Sequence, residues 1–439
     1  MKITDVYSAK AVAAVLDTPE SNLVEYLGRT LFPFKKKMGL DLKWIQLHSK
    51  LGTSLAASNF DAKSTLRSRE GFDFKRTQMA FFRESMLVTE EDQQEIMRIQ
   101  ETGDPYVQDV LNNVYDDAGT LVMGARTVAE RMAMQLLSPA DGSPAIYIED
   151  NGVVYAYNYD PDGAFKAHNY VQMLGSSNWS DTVHSTPLTD IINARDLAKG
   201  GKPTEMIVNP NTFALLKSNA SIAAFIQPPN LPSDEVIKNI IATVAGVNVI
   251  VYEKMFKDES GNEVYFYPDG MATLIPSKAL GNTWFGTTPE ERSSLAKRDA
   301  DFALVDGVFS VMVTETTDPI ETKTTVSEIV LPSFENMDSV VVMNVCPTLG
   351  TLTGTVAEGS SSGTTKVTLA SAPADHSYKV STTTATLAGI YYGTDLSAWT
   401  DYTSADNITI ADATDFVIAL VDANGLAVSA GVFTSDTKA

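Results

Sequence analysis

The sequence predicts an α+β protein that carries a small all-β domain at its C-terminal end. In residues 104–138, apolar side chains recur at the spacing of one buried helix face. Between about residues 183 and 305, helix and strand signals alternate, which is typical of an α+β domain. After Cys346 the composition changes to Thr, Ser, Ala and Gly, and short strand patterns lie between turn signals.

Length, charge and cysteine content exclude several classes of protein. The 439 residues are enough for two or three domains. The formal charge of -22 repels phosphate groups, which disfavours a protein that reads nucleic acid. The single cysteine, Cys346, excludes a disulfide framework and a cysteine-cluster zinc site. No segment approaches the roughly 20 apolar residues of a membrane span, so we expect no membrane association and synthesis in the cytoplasm.

Residues 41–89 form a basic segment in this acidic chain. Strand patterns at its two ends flank a middle rich in Ser, Ala and Gly, which predicts two long strands joined by an extended loop. Its basic residues are Lys43, Lys50, Lys63, Arg67, Arg69, Lys75, Arg76 and Arg83. Because a two-stranded ribbon is barely stable by itself in water, we expect it to lie on an acidic neighbour.

The helical stretch that follows is the longest element of the prediction. At 1.5 Å per residue, a helix over residues 104–138 would be roughly 50 Å long. Residues 145–150 and 153–158 flank Asn151-Gly152, the strongest hairpin signal in the chain. In residues 183–305, Thr186-Pro187, Asn209-Pro210 and Ser233 mark the starts of three further helices.

Short motifs with possible chemistry are better interpreted as turns. Residues 359–363 match G-x-S-x-G but lack the strand and helix that a nucleophile elbow needs. The Asp160 and Asp258 regions lack the full calcium-loop spacing with its glutamate. The four histidines form no metal-ligand pattern. We therefore predict no catalytic residue, no cofactor and no metal.

The order of elements resembles a known family over roughly residues 1–345. The order is a basic arm, a long ribbon, a long helix, an α+β domain and returning long strands. It is most similar in TPLTDIINARDLAKGGKPTEMIVNPNTFALLKSN, residues 186–219, and in LIPSKALGNTWFGTTPEE, residues 274–291. It resembles the major capsid proteins of tailed phages and, more closely, the lambda-like major capsid protein E family.

The resemblance implies a Hong Kong 97-type capsid fold with an Ig-like β domain added. The implied divisions are an N-terminal arm at 1–40, an extended loop (E-loop) at 41–89, a peripheral domain with the long "spine" helix at 90–182 and 318–345, an axial domain at 183–317, and the all-β accessory domain at 346–439.

The resemblance also implies a function. Copies of the chain would form hexamers and pentamers and build an icosahedral shell that encloses double-stranded DNA without sequence-specific binding. The protein would reside in the virion capsid and assemble in the bacterial host cytoplasm. A separate scaffolding protein, a portal and a decoration protein are the expected partners.

Specific residues follow from this expectation. E-loop contacts to another subunit would come from Lys43, Lys50, Lys63, Arg67, Arg69, Lys75 and Arg76. Their acidic partners on the spine helix would be Asp109, Asp116, Asp117 and Glu130. Trp284, Phe285 and Gly286 would pack the axial domain and contact a neighbouring subunit.

Two other functions compete with the capsid hypothesis. A nanocompartment shell of the same fold would enclose an enzyme instead of DNA. A carbohydrate-binding or hydrolytic protein with a β accessory module would need a polar cleft in the α+β domain, and no motif indicates one.

Overall fold

The structure is a computed structural model that describes residues 8–16, 26–46, 73–90, 94, 106–150, 152–199, 201–226, 233–296, 301–316 and 320–438. The helices are α1 Ala9–Leu16, α2 Leu27–Leu31, α3 Tyr106–Leu137, α4 Ala164–Asn169, α5 Pro187–Leu197, α6 Pro210–Ser218, α7 Ala220–Ala223, α8 Asp234–Val244 and α9 Pro289–Ala296. Two short 3₁₀ helices lie at Gly175–Ser177 and Met337–Ser339.

The strands fall into a main body and a C-terminal module. Those of the main body are β1 Phe34–Lys36, β2 Asp41–Gln46, β3 Asp73–Gln78, β4 Ala80–Val88, β5 Ala145–Asp150, β6 Val153–Asn158, β7 Tyr170–Gln172, β8 Glu205–Val208, β9 Asn248–Val251, β10 Met255–Lys257, β11 Glu263–Tyr265, β12 Met271–Ile275, β13 Gly281–Phe285, β14 Asp301–Val305, β15 Phe309–Glu315, β16 Thr322–Phe334 and β17 Val341–Asn344. Those of the module are β18 Gly350–Thr351, β19 Thr355–Glu358, β20 Thr364–Thr368, β21 Ser377–Ser381, β22 Thr400–Tyr402, β23 Asn407–Thr409, β24 Asp415–Val421 and β25 Ala427–Thr434.

The long helix α3 packs on a six-stranded sheet. The strand order is β1-β13-β16-β15-β14, and β4 also pairs with β16. Leu121 and Met132 of the helix share one buried apolar cluster with Val326 and Val330 of β16. The observed helix, Tyr106–Leu137, confirms the predicted one to within two residues at its start and one at its end.

A second, five-stranded sheet forms the α+β part, in the order β7-β17-β12-β8-β9. Ile191 of α5 and Ile237 of α8 pack with Met206 and Leu274 of this sheet in a separate core. Two of the predicted helix starts have side-chain caps. The Asn209 side chain accepts from the Thr212 backbone N–H at 2.8 Å, and Ser233 accepts from Val236 N–H at 3.4 Å.

The strand pairing corrects the expected domain boundaries. The segment 183–317, expected as one axial domain, contributes β13, β14 and β15 to the sheet under α3. Conversely β7 and β17, expected in the peripheral domain, belong to the five-stranded sheet. The chain passes between the two sheets several times. The expected boundaries therefore do not follow the two sheets at residues 281–315 and at β7 and β17.

The C-terminal module confirms the all-β prediction. Its two sheets have the orders β18-β25-β24-β21-β22 and β19-β20-β23. Phe416 and Tyr378 belong to one of its two apolar clusters, and Val417 belongs to the other. The module contacts the main body where the Gly175 N–H donates to the Tyr392 carbonyl at 2.9 Å.

Gly281→Ala tests the pairing of β13 with β16. A Cβ at this position would overlap the Ser333 carbonyl oxygen, a backbone atom that cannot move without disturbing the strand pair. We expect the free energy of unfolding to fall by about 2 kcal/mol or more, measured by chemical denaturation. The control is Gly124→Ala in α3, where the nearest atom is 4.0 Å from the new Cβ. Equal stability of the two variants would contradict the pairing.

Candidate functional site

The base of the extended segment is fixed to the main body by strand pairing. Strand β4 runs antiparallel to β16 from Ala80↔Val330 to Val88↔Thr322. Strands β2 and β3 pair in turn and place Lys43 opposite Arg76 and Trp44 opposite Lys75. Lys43 and Arg76 thus occupy directly opposed positions in a two-stranded pair, and the expectation that this ribbon lies on a neighbour stays a prediction.

Several of the predicted basic contacts cannot be placed. Lys50, Lys63, Arg67 and Arg69 fall outside the described residues, as do the side chains of Lys43, Lys75 and Arg76. Arg83 is described: its guanidinium pairs with Glu290 and lies 5.0 Å from the centre of the Phe81 ring.

The predicted acidic residues of α3 divide into two kinds. Asp117 is exposed, and Asp109 and Asp116 lie in the helix with side chains outside the described part. Glu130 is only 2% exposed. The prediction that Glu130 contacts another subunit is therefore wrong, because its carboxylate bonds to groups inside the chain.

Glu130 joins three parts of the chain. Its Oε2 accepts the Gly28 N–H of α2 at 2.9 Å, and its Oε1 accepts the Tyr252 hydroxyl at 2.6 Å. Burial raises the pKa of Glu130 from 4.5 to about 7, although both hydrogen bonds act in the opposite direction. A Cβ at position 28 would overlap the carboxylate and lie 2.9 Å from the Ala133 Cβ, so any larger residue there would displace Glu130 from this contact.

A buried ion pair lies one turn earlier on α3. Both Nε and Nη2 of Arg126 lie 2.9 Å from Oδ2 of Asp306. Asp306 occupies the turn between β14 and β15 with φ +52, and Arg29 approaches its other oxygen at 3.5 Å. The buried face of α3 thus holds the N-terminal arm and the edge of the six-stranded sheet together.

A cleft of about 420 Å³ opens between α3, β4, β16 and the β10–β11 hairpin. Glu328 of β16 lines it and is 1% exposed. No group in the described part of the chain donates a hydrogen bond to either carboxylate oxygen. Burial raises the pKa of Glu328 well above its ordinary value. At the rim, Arg131 pairs with Glu259 and lies over the Phe256 ring.

Trp284, Phe285 and Gly286 lie in and beside β13, next to β1 and β16. Phe285 is fully buried, with its ring centre 4.9 Å from that of Phe34 and 5.4 Å from that of Phe309. Trp284 is half-buried, and its indole N–H donates to Ser333 Oγ at 3.1 Å. Phe285 and Trp284 thus pack in the sheet under α3, and their predicted contact with a neighbouring subunit stays a prediction.

The turn interpretation holds for the acidic motifs. Asp160 accepts the backbone N–H groups of Phe165 and Lys166, both at 3.0 Å, and Asp258 accepts those of Ser260 and Asn262. In the described ranges, no three His, Cys, Asp or Glu side chains come together as a metal site requires. Every helix of the described part is too short or too polar to cross a membrane.

Sequence reasoning missed Glu328 and Asp306. A signal for Glu328 was present, since it stands between Val326 and Ile329 in a run that reads as a buried strand. Burying a charged group inside such a run is unfavourable unless the group is paired or hydrogen-bonded, so the position indicates a special environment. Asp306 gave no comparable signal, because Asp-Gly is common in turns.

The comparison with protein families decides the identity. A model of the phage major capsid protein E family matches residues 10–345. The chain belongs to the phage major capsid protein E family. In this capsid protein, residues 357–430 are similar to the C-terminal domain of the S-layer protein SbsC. No curated protein matches the chain.

Solved structures similar to this capsid protein share little sequence with it. A phage-related protein from Bordetella bronchiseptica is 13% identical, with 76% of this chain and 96% of that chain covered and a TM-score of 0.47. A putative prophage capsid protein from E. coli is 14% identical, with 63% and 80% covered and a TM-score of 0.43. The virus-like particle of Pyrococcus furiosus is 10% identical, with 76% and 97% covered and a TM-score of 0.35.

Glu130→Gln tests the buried contact of α3 through its pH dependence. The amide can accept from Gly28 N–H and donate to the Tyr252 hydroxyl oxygen, so the contact keeps its geometry. Because the folded pKa of about 7 exceeds the ordinary 4.5, the wild type takes up a proton on folding between these values. Its stability should fall, relative to the variant, as pH rises from 4.5 to 7, by at most about 3 kcal/mol.

The measurement is chemical denaturation across this pH range, with Asp117→Asn on the exposed face of α3 as the control for general loss of charge. If the difference in unfolding free energy between wild type and Glu130→Gln did not change with pH, the raised pKa of Glu130 would be contradicted.

Proposed function

We propose that this chain is the major capsid protein of a tailed double-stranded DNA phage, and that its copies assemble as hexamers and pentamers into an icosahedral shell around the genome. The match of the phage major capsid protein E family over residues 10–345 carries this proposal. The net charge of -22 suits a wall that encloses DNA without binding it. The role needs self-association and no catalytic step.

The proposed subunit contact pairs the basic segment with acidic surface. Residues 41–89 hold eight of the chain's 33 Lys and Arg residues, although the chain as a whole is strongly acidic. Strand β4 holds the base of the segment in the sheet, while Asp117 of α3 is exposed. In the proposal, Lys43, Lys50, Lys63, Arg67, Arg69, Lys75 and Arg76 contact Asp109, Asp116 and Asp117 of a neighbouring copy. Complementary charge of this kind fixes register and speeds association more than it adds affinity.

The remaining partners follow from the same role. The shell would be located in the virion and would form in the host cytoplasm. A separate scaffolding protein would guide assembly, and a portal would occupy one vertex. A decoration protein is a further proposed partner.

The C-terminal module is proposed to project from the shell and to stabilise contacts between neighbouring capsomers. It has its own apolar cores, and it contacts the body through the Gly175–Tyr392 hydrogen bond and one from Asn178 Nδ2 to the Pro347 carbonyl at 3.4 Å, among others. A module with its own cores suits an accessory role on the shell.

Arg67→Glu tests the proposed charge contact. Replacing a cation with an anion should lower the yield of particles about tenfold at low ionic strength, because like charges then face each other. Sedimentation and negative-stain microscopy of protein expressed with its scaffolding protein give the yield.

The matched control is Lys366→Glu in the C-terminal module, which changes the net charge equally and should leave the yield near that of wild type. Equal particle yields for both variants would show that Arg67 of the basic segment does not contribute to the subunit contact. A wild-type chain that stays a monomer under these conditions would refute the capsid function itself.

Deleting residues 347–439 tests the role of the module. Particles should still form, because the main-body cores are complete without it, but they should dissociate at lower denaturant concentration than wild-type particles. Light scattering during a guanidinium titration measures this. Particles of equal stability would show that the module does not strengthen the shell.

A further inference from the structure

Glu328 is a buried carboxyl group without a hydrogen-bond donor. It pairs in register with Phe82 of β4, and alternation along β16 places its side chain on the same face as Val326 and Val330, toward α3. Among the described residues, nothing donates to either oxygen. A polar group in this situation is unfavourable unless it is neutral or receives a partner. The structure thus holds an unsatisfied acceptor beside an open cleft.

The cleft beside Glu328 is suited to a positively charged side chain. Besides Glu328, the carboxylates on its walls are Glu84, Asp150, Asp258 and Glu259. Three cations also line it: Arg83 pairs with Glu290, Arg131 pairs with Glu259, and the exposed Lys257 does not bond to Glu328, so the carboxylates outnumber the cations five to three. Leu121, Val128 and Phe256 add apolar wall. A Lys or Arg side chain combines an aliphatic stem with a cationic head and so matches both kinds of surface.

The chain itself supplies such a side chain in its basic segment. Lys50, Lys63, Arg67 and Arg69 lie between β2 and β3. The base of the same copy's ribbon lies on the opposite face of the sheet: Gly39 O, Met79 Cε and Ile329 Cγ2 all lie within 3 Å of a Cβ built on Gly286. Ile329 and Glu328 are adjacent in β16 and therefore point to opposite faces. This geometry favours a second copy as the donor.

We propose that the Glu328 cleft receives a Lys or Arg side chain from residues 47–72 of a second copy when the shell assembles. This inference rests on the proposed capsid function and specifies one of its contacts. The carboxylate is then satisfied only in the assembly. In the unassembled chain the buried carboxyl group remains without a partner. The contact therefore stabilises the association of copies and does not stabilise the folded single chain.

The substitution Glu328→Gln tests the unassembled chain and the assembled shell separately. The amide has the shape of the carboxylic acid and carries no charge, so the unassembled variant should melt at the same temperature as wild type or higher. The protein concentration needed for assembly should rise about tenfold, because a buried cation loses its counter-charge. Glu84→Gln at the exposed rim of the same cleft is the control and should change that concentration less than about twofold.

A double-mutant cycle identifies the donor. Glu328→Gln is combined in turn with Lys50→Gln, Lys63→Gln, Arg67→Gln and Arg69→Gln, and each variant is measured both as particles and unassembled. We expect one of the four to be strongly non-additive with Glu328→Gln in assembly and additive in the melting temperature of unassembled protein.

Four results would overturn the inference. Additivity with all four cations would exclude the basic segment. Coupling already present in the unassembled chain would assign the contact to the same copy. If a chelator raised the assembly concentration of wild type to that of Glu328→Gln and left the variant unchanged, the ligand of the cleft would be a divalent cation. If wild-type chains form no particles at all, the proposed function fails first; if they do and Glu328→Gln assembles like wild type, only this inference fails.

Discussion

The structure depends on the charged groups buried along one face of α3. A buried charge that loses its partner destabilises a protein by about 3–5 kcal/mol, so each such group dictates what must lie beside it. Arg126 requires Asp306 in the β14–β15 turn, and Glu130 requires the Gly28 N–H and the Tyr252 hydroxyl. These contacts tie the N-terminal arm, the six-stranded sheet and the segment after β9 to one helix. Glu328 of β16, which lines the cleft beside α3, differs from these groups because nothing in the described part of the chain donates to its carboxyl oxygens.

Local sequence signals predicted the elements well and their partners poorly. The long helix, the β5–β6 hairpin around Asn151-Gly152 and the Asn209 cap depend on neighbouring residues, and they were found. That β13 joins the sheet under α3 depends on β16, about 50 residues later, and no local pattern reports it. Glu130 was assigned to the surface because one buried helix face was assumed, yet Met132, Ala133, Met134 and Leu136 around it are all buried at 1% or less.

The distribution of charge links the fold to assembly. Copies with a net charge of -22 repel one another, whereas the segment at 41–89, with eight Lys or Arg and five Asp or Glu residues, carries a net positive charge. The structure holds the base of this segment firmly through β4. It also offers exposed Asp117 on α3 and the acidic Glu328 cleft as surfaces of opposite charge. In the proposed contacts, association between copies would give the buried Glu328 acceptor, which has no donor in the described part of the chain, a cationic partner.

Cryo-electron microscopy of particles formed by the full chain tests this account most directly. The account predicts icosahedral shells in which density from a neighbouring copy covers α3 and enters the cleft beside Glu328. Shells in which that cleft is empty or is filled by the same copy would contradict the proposed contact, and a chain that yields no closed particle with its scaffolding protein would contradict the account as a whole.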